Sequence, residues 1–104
     1  MKDNIRVLIF KENGWWVAQC LEYSIAAQTK NIEDIKYEFE RMFLGTILMA
    51  QELKIDSFKD NSPAPDKYHK LFNDKDNPYK IEIQSINNFP ITQILYRFTD
   101  NDPN

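Results

Sequence analysis

The sequence predicts a single α+β domain in which an antiparallel sheet is covered by one long helix. Three patterns predict this class: a β-hairpin near the start, a long amphipathic helix in the middle, and two alternating strands near the end. The length of 104 residues is close to that of one domain. We expect a β-β-β-α core at about 5–55 and a C-terminal extension at about 56–104.

The hairpin is the strongest local pattern. Residues 5–10 and 15–22 are rich in β-branched and aromatic side chains, and the Asn13-Gly14 pair between them tolerates the positive φ of a tight turn. Apolar side chains fall on both faces of the second strand, beginning with Trp15 on one face and Trp16 on the other. Because a sheet wetted on one face alternates between apolar and polar residues, we expect an element packed on each face.

A long helix is predicted after a short third strand at residues 24–29. Asn31 is placed to cap the helix, Asp34 completes a capping-box pattern three residues later, and the helix continues to about Lys54. One apolar face recurs at helical spacing: Ile32, Ile35, Phe39, Met42, Phe43, Met49, Ala50 and Leu53. A second apolar stripe lies nearly opposite: Tyr37, Leu44, Leu48 and Ile55.

The second stripe has two explanations, because a surface helix is normally polar on that side. Either the C-terminal segment folds over the stripe, or the stripe forms an interface with another subunit. We therefore predict interface positions at Trp15, Trp16, Tyr37, Leu44 and Leu48, and we expect a homo-oligomer.

The C-terminal half predicts one short helix and two more strands. Pro65 can occupy the first turn of the helix, which would place Tyr68, Leu71 and Phe72 on one side. Residues 79–83 alternate between apolar and polar side chains, and residues 91–98 form a last strand.

Charge and cysteine content limit the classes of function. The net charge is −3 with a pI of about 5.1, so the totals lack the excess of basic residues that nucleic-acid binders carry. Cys20 is the single cysteine, which rules out an internal disulfide and suits a reducing compartment. Neither a targeting segment nor an apolar run of about 20 residues is present, so we expect a cytoplasmic protein without a membrane anchor.

The segment 7–43 resembles the HicB antitoxin family. The resemblance is carried by residues 15–22, 25–28 and 29–35. Thr29 stands where the family usually has glycine, Asn31 replaces the capping threonine, Asp34 the glutamate and Ile35 the alanine. Asn and Asp preserve the capping chemistry of that motif.

The resemblance implies a partial RNase H-like fold and a toxin–antitoxin context. Antitoxin domains of this family mask HicA, a small basic RNA-cleaving toxin, and many also carry a C-terminal DNA-binding module. We identify no such module after residue 56, where all five prolines and little basic clustering are found. The resemblance thus implies a stand-alone protein-binding domain that binds a HicA-like toxin and does not bind DNA.

Catalytic chemistry is not predicted. An RNase H-like nuclease needs clustered carboxylates to hold metal ions, but the first strand carries none, and Glu12 and Glu22 lie at the ends of the hairpin. His69 is the only histidine and Cys20 lies in an apolar strand, so we predict no metal site and no cofactor. An RNA- or nucleotide-binding module is the alternative, and a degenerate nuclease using Glu12 or Glu22 is a weaker one.

Overall fold

The computed structural model describes residues 4–54, 62–74, 81–85 and 93–99. Five strands form one sheet: β1 (Asn4–Glu12), β2 (Trp15–Cys20), β3 (Ala26–Thr29), β4 (Ile81–Ser85) and β5 (Gln93–Phe98). Two helices accompany the sheet in these ranges: α1 (Ile35–Leu53) and α2 (Asp66–Phe72). Neither described helix is long and apolar enough to cross a bilayer. The predicted α+β class is confirmed.

The sheet is mixed, which corrects the expectation of a purely antiparallel sheet. Its strand order is β3-β2-β1-β5-β4, and β1 pairs with β5 in parallel while the other pairings are antiparallel. Parallel pairing requires a long crossover connection, and the chain between β1 and β5 includes both helices. The register places Ile5 beside Ile94 and Val7 beside Tyr96, all fully buried, so apolar burial fixes this pairing.

The predicted hairpin is confirmed. Asn13 has φ of 51° and Gly14 has φ of 81°, the left-handed values that a two-residue hairpin turn requires. The antiparallel register places Phe10 opposite Val17 and sets the faces of both strands.

Each face of the hairpin is covered by a helix, as the apolar pattern predicted. On one face α1 packs over Ile9, Ala18 and Tyr96, and the Phe39 ring meets the Tyr96 ring edge-on at a centroid distance of 6.4 Å. On the other face α2 contributes to a smaller core: Leu8, Phe10, Leu21 and Phe72, with Val17, Tyr68, Leu71 and Leu95 at its margin. The sheet is therefore the middle layer of three.

The start of α1 differs from the prediction. Residues Ile32–Asp34 form a 3₁₀ turn, and the Asn31 side chain makes no capping hydrogen bond to the backbone. The Asp34 N–H donates instead to the Asn31 carbonyl at 3.1 Å, while Asn31 Nδ2 donates to the Asp34 carboxylate at 3.5 Å. The expected capping box is therefore wrong, because the tighter turn satisfies the Asp34 amide through the backbone.

Only part of the predicted apolar face of α1 is buried. The buried residues lie on one narrow stripe: Ile35, Phe39, Phe43, Ile47 and Ala50. Four residues predicted on that face are exposed instead: Ile32, Met42, Met49 and Leu53. At about 100° per residue, Met42 and Met49 project from one side of the stripe and overhang the sheet.

An ion pair joins β1 to the turn after β2. The Arg6 Nε and backbone N–H donate to the two carboxylate oxygens of Glu22, each at 2.6 Å. Glu22 is buried, and the Arg6 guanidinium also lies 5.8 Å from the centre of the Phe72 ring. Arg6 therefore neutralises a buried charge and contacts the α2 side of the sheet.

A second carboxylate lies between α1 and β5. Glu40 is half-buried, and burial raises the pKa of its carboxyl group despite opposing contributions from Tyr96 and Lys36. The buried Tyr96 hydroxyl and Glu40 Oε1 lack a hydrogen bond of good geometry within the described ranges, although the two groups perturb each other's pKa. Ionised Glu40 is therefore poorly solvated in the folded protein.

We expect Arg6→Met to lower the free energy of unfolding by about 3 kcal/mol, because it leaves the buried Glu22 carboxylate without its partner. Urea unfolding of Arg6→Met, Glu22→Gln and the double variant would measure the coupling. Arg41→Met is the control, because Arg41 pairs with Glu38 at the surface at 3.1 Å and its loss should cost below about 1 kcal/mol. Equal effects of Arg6→Met and Arg41→Met would contradict this assignment.

We expect Glu40→Gln to raise the melting temperature at neutral pH. The folded state holds the Glu40 proton more tightly than the unfolded chain, so stability is lost as pH rises through the folded pKa. The gain from Glu40→Gln should therefore vanish as pH falls below the ordinary carboxyl value of 4.5. Thermal melts across this range, with the exposed Glu33→Gln as control, test the prediction, and a pH-independent loss of stability would contradict it.

Candidate functional site

Large apolar side chains are exposed along α1. Among the described residues, the large hydrophobic side chains left exposed are Trp15, Ile32, Tyr37, Met42, Leu48, Met49 and Leu53. Apart from Trp15, all of them lie on α1 or on the 3₁₀ turn that precedes it. Within the described surface, exposed large apolar side chains are therefore concentrated on this one helix and the turn before it.

Tyr37 and Leu48 share the side of α1 that points away from the sheet, which we name the outer face. They are 65% and 53% exposed, respectively. They are eleven positions apart in the sequence, so they lie on almost the same side of the helix, about 16 Å apart along its axis. Leu44 lies at the edge of this face, half-buried against the α1-side core.

The surroundings of the outer face are acidic. The exposed helical neighbours of Tyr37, three and four positions away, are Glu33, Asp34 and Arg41, while the fourth neighbour, Glu40, is half-buried beside β5. Arg41 is already paired with Glu38 at 3.1 Å. An apolar face bordered by carboxylates favours a partner that presents an apolar groove with a basic rim.

The two tryptophans are not part of the outer face. Trp15 is exposed and the Lys30 ammonium lies 4.3 Å from the centre of its ring, whereas Trp16 is half-buried in the α1-side core with Lys11 5.8 Å away. They point to opposite faces of the sheet, as their adjacent positions predicted. Of the five predicted interface residues, the structure therefore brings together Tyr37 and Leu48 with Leu44 at their margin.

Three residues that were candidates for catalytic or metal-binding roles, Glu22, Cys20 and His69, contact other groups of the fold. Glu22 is bound by Arg6, and burial raises the pKa of the Cys20 thiol to about 12, which keeps it protonated and unreactive. His69 Nε2 lies 3.1 Å from the Ala64 carbonyl on the α2 side. Within the described ranges, the structure groups no three His, Cys, Asp or Glu side chains closely enough to hold a metal ion.

One feature of the surface was missed by the sequence interpretation. The sequence pattern places Met42 and Met49 on the buried face, yet they are 49% and 65% exposed along one side of α1, where Met42 borders β3. Their exposure could have been inferred from the four-residue spacing of Ile35, Phe39, Phe43 and Ile47. These four side chains are buried and already fill the contact between α1 and the sheet. The methionines lie off that row.

Comparison with known proteins leaves the family open. No protein-family model, no curated protein and no solved structure matches this chain. The HicB resemblance therefore stays a prediction carried by residues of the segment 7–43.

Proposed function

We propose that this chain is a non-catalytic, HicB-like protein-binding domain, and that the outer face of α1 is its binding site. The exposure of Tyr37 and Leu48 on one side of a helix that is already packed on the other carries this proposal. Polar side chains at these positions would serve a freely solvated helix better. Two apolar anchors three turns apart suit recognition of a helix by a groove on the partner.

The chemistry of the face supports a basic partner. Carboxylates of Glu33 and Asp34 lie one turn before Tyr37, and the chain as a whole carries a net charge of −3. Complementary charge speeds association and orients a partner more than it adds affinity, so we assign the affinity to Tyr37 and Leu48. A small basic RNA-cleaving toxin of the HicA kind is the partner that this combination and the resemblance favour.

The observed core is consistent with this assignment. The β-β-β-α order expected from the resemblance is present, from β1 to α1. Cys20 is a buried free thiol, which suits a cytoplasmic location. We propose a cytoplasmic toxin-binding role that uses no cofactor.

RNA binding is the alternative function, and one observation favours it. The Lys30 ammonium lies 4.3 Å from the centre of the exposed Trp15 ring on the hairpin. Aromatic rings and lysines together can stack bases and hold phosphates. The acidic surroundings of the outer face make protein binding the stronger proposal.

We expect Tyr37→Lys and Leu48→Lys to abolish binding of the partner. Co-purification from the native cell, followed by mass measurement of the complex, should recover a small basic protein that cleaves RNA once released. Adding the wild-type chain should inhibit that cleavage, and the two variants should inhibit at least about tenfold less well, since loss of an interface anchor costs more than 1 kcal/mol.

Asn73→Lys is the matched control, because Asn73 is exposed at the end of α2 on the opposite side of the sheet. It adds the same charge and should leave inhibition unchanged. Recovery of the chain without a protein partner, or equal inhibition by all variants, would contradict the proposal. Retention of RNA that is lost on raising salt and on Trp15→Ala would support the alternative instead.

A further inference from the structure

β3 has an unpaired outer edge among the strands that the structure describes. It is the last of these strands on its side of the sheet, and β2 is its one partner among them. The Cys20 N–H donates to the Ile25 carbonyl at 2.9 Å, and hydrogen-bonded residues alternate along an antiparallel pair. The Ile25 carbonyl and the backbone groups of Ala27 therefore face β2, while those of Ala26 and Gln28 face away from the sheet.

This edge lacks two of the features that usually prevent strand pairing, charge and proline, although β3 is only four residues long. β3 has the sequence Ala-Ala-Gln-Thr, with no charged side chain and no proline, and Ala26 and Gln28 are exposed. Edge strands of monomeric proteins are commonly protected by lysine, proline or a bulge. The edge is thus chemically suited to accept another strand.

One side of α1 continues the surface of this edge. We name Met42, Gly45 and Met49, with Glu38 and Thr46, the β3 flank of the helix. A concavity of about 370 Å³ follows the β3 flank, and an adjoining one of about 250 Å³ runs beside β3. Both are lined by Glu38 and Met42, so the strand edge and the β3 flank form one groove. At Gly45 the space that a Cβ would occupy is empty.

We propose that a second copy of this chain docks on this groove by antiparallel pairing of β3 with its counterpart. In this register Ala27 lies opposite Ala27 of the second copy. Ala26 of each copy then lies opposite Gln28 of the other, and each of these two pairs forms two backbone hydrogen bonds, four in total. The two-fold axis is perpendicular to the sheet, so both α1 helices lie on the same face of one continuous sheet. Their β3 flanks then face each other across the axis.

Charge favours a second copy over a charged peptide. β3 is uncharged, and Glu38 and Arg41 neutralise each other at 3.1 Å, so two copies of this surface do not repel. The outer face, by contrast, is acidic and would repel itself. Two copies can therefore approach through the β3 side of the domain.

The small extent of the edge also favours a folded occupant. A flexible peptide would gain only the hydrogen bonds of Ala26 and Gln28 and would lose its freedom on binding. A second copy presents its own strand and β3 flank already ordered, and flexible methionine side chains adapt to each other. Because the pairing is limited to a four-residue strand and one flank of a helix, we expect dissociation in the micromolar range.

The groove uses different residues from the outer face, so this proposal and the proposed function can fail separately. Sedimentation velocity of the full chain between about 1 and 500 µM should show a monomer–dimer equilibrium. Gln28→Pro removes one outward N–H in each copy and should raise the dissociation constant about 30-fold, as two lost hydrogen bonds imply. Gln28→Ala keeps the N–H and should leave the constant unchanged.

A covalent trap gives a second test that does not depend on the proline variant folding. Ala27→Cys places two thiols opposite each other with a Cα separation of about 4.5 Å, within disulfide reach. Mild oxidation should give a covalent dimer, while Cys20 stays unreactive because it is buried. Glu52→Cys, exposed near the end of α1, is the control and should cross-link far less.

Met42→Glu should weaken the dimer by placing like charges in the β3 flank, whereas Leu48→Lys on the outer face should not change it. A monomer at every concentration, together with no cross-link through Ala27→Cys, would overturn the proposal. So would a dimer that is lost with Leu48→Lys but unaffected by Gln28→Pro and Met42→Glu. A wild-type circular dichroism spectrum is required of each variant before its mass is interpreted.

Discussion

The burial of β1 on both faces is the constraint on which the rest of the structure depends. β1 lies between β2 and β5, and its successive residues Leu8 and Ile9 are fully buried on opposite faces of the sheet. A strand with no wet face requires a covering layer on each side. The large helix α1 supplies one layer and the short helix α2 the other, so the position of both helices follows from one strand.

Local features of the fold could be predicted from the sequence, and long-range ones could not. The hairpin depends on Asn13 and Gly14, which adopt positive φ values. Asparagine and glycine tolerate such values because of their own side chains, so this feature is local. The parallel pairing of β1 with β5 depends on contacts such as Val7 with Tyr96, far apart in the chain. A local sequence pattern does not indicate which distant strand will pair with β1. Alternating apolar and polar residues are also compatible with both parallel and antiparallel pairing.

The helix shows a similar limit for the candidate site. Helical periodicity indicated that α1 has two apolar sides, and it placed Tyr37 and Leu48 correctly on the side away from the sheet. Periodicity does not give the width of the buried stripe, which is set by how the helix lies on the sheet. Because the row from Ile35 to Ile47 fills that contact, Met42 and Met49 are left at its side, and the β3 flank became visible only in three dimensions.

Polar groups that a sequence would suggest for chemistry instead stabilise the fold. Glu22 is held by Arg6 in two hydrogen bonds, and the pKa of Cys20 is raised to about 12 by burial. Both groups lie against β1 or β2 in the centre of the sheet. Their reactivity is reduced by the same burial that covers β1.

The two proposed surfaces are geometrically compatible because they occupy different sides of one helix. Pairing through β3 about an axis perpendicular to the sheet keeps both copies of α1 on one face, and the outer faces of the two helices then point in the same direction. A partner with two binding sites could engage both outer faces at once, which would raise its apparent affinity without any new contact. Self-association through the uncharged edge would therefore strengthen partner binding through the acidic face, and neither surface would need to change shape.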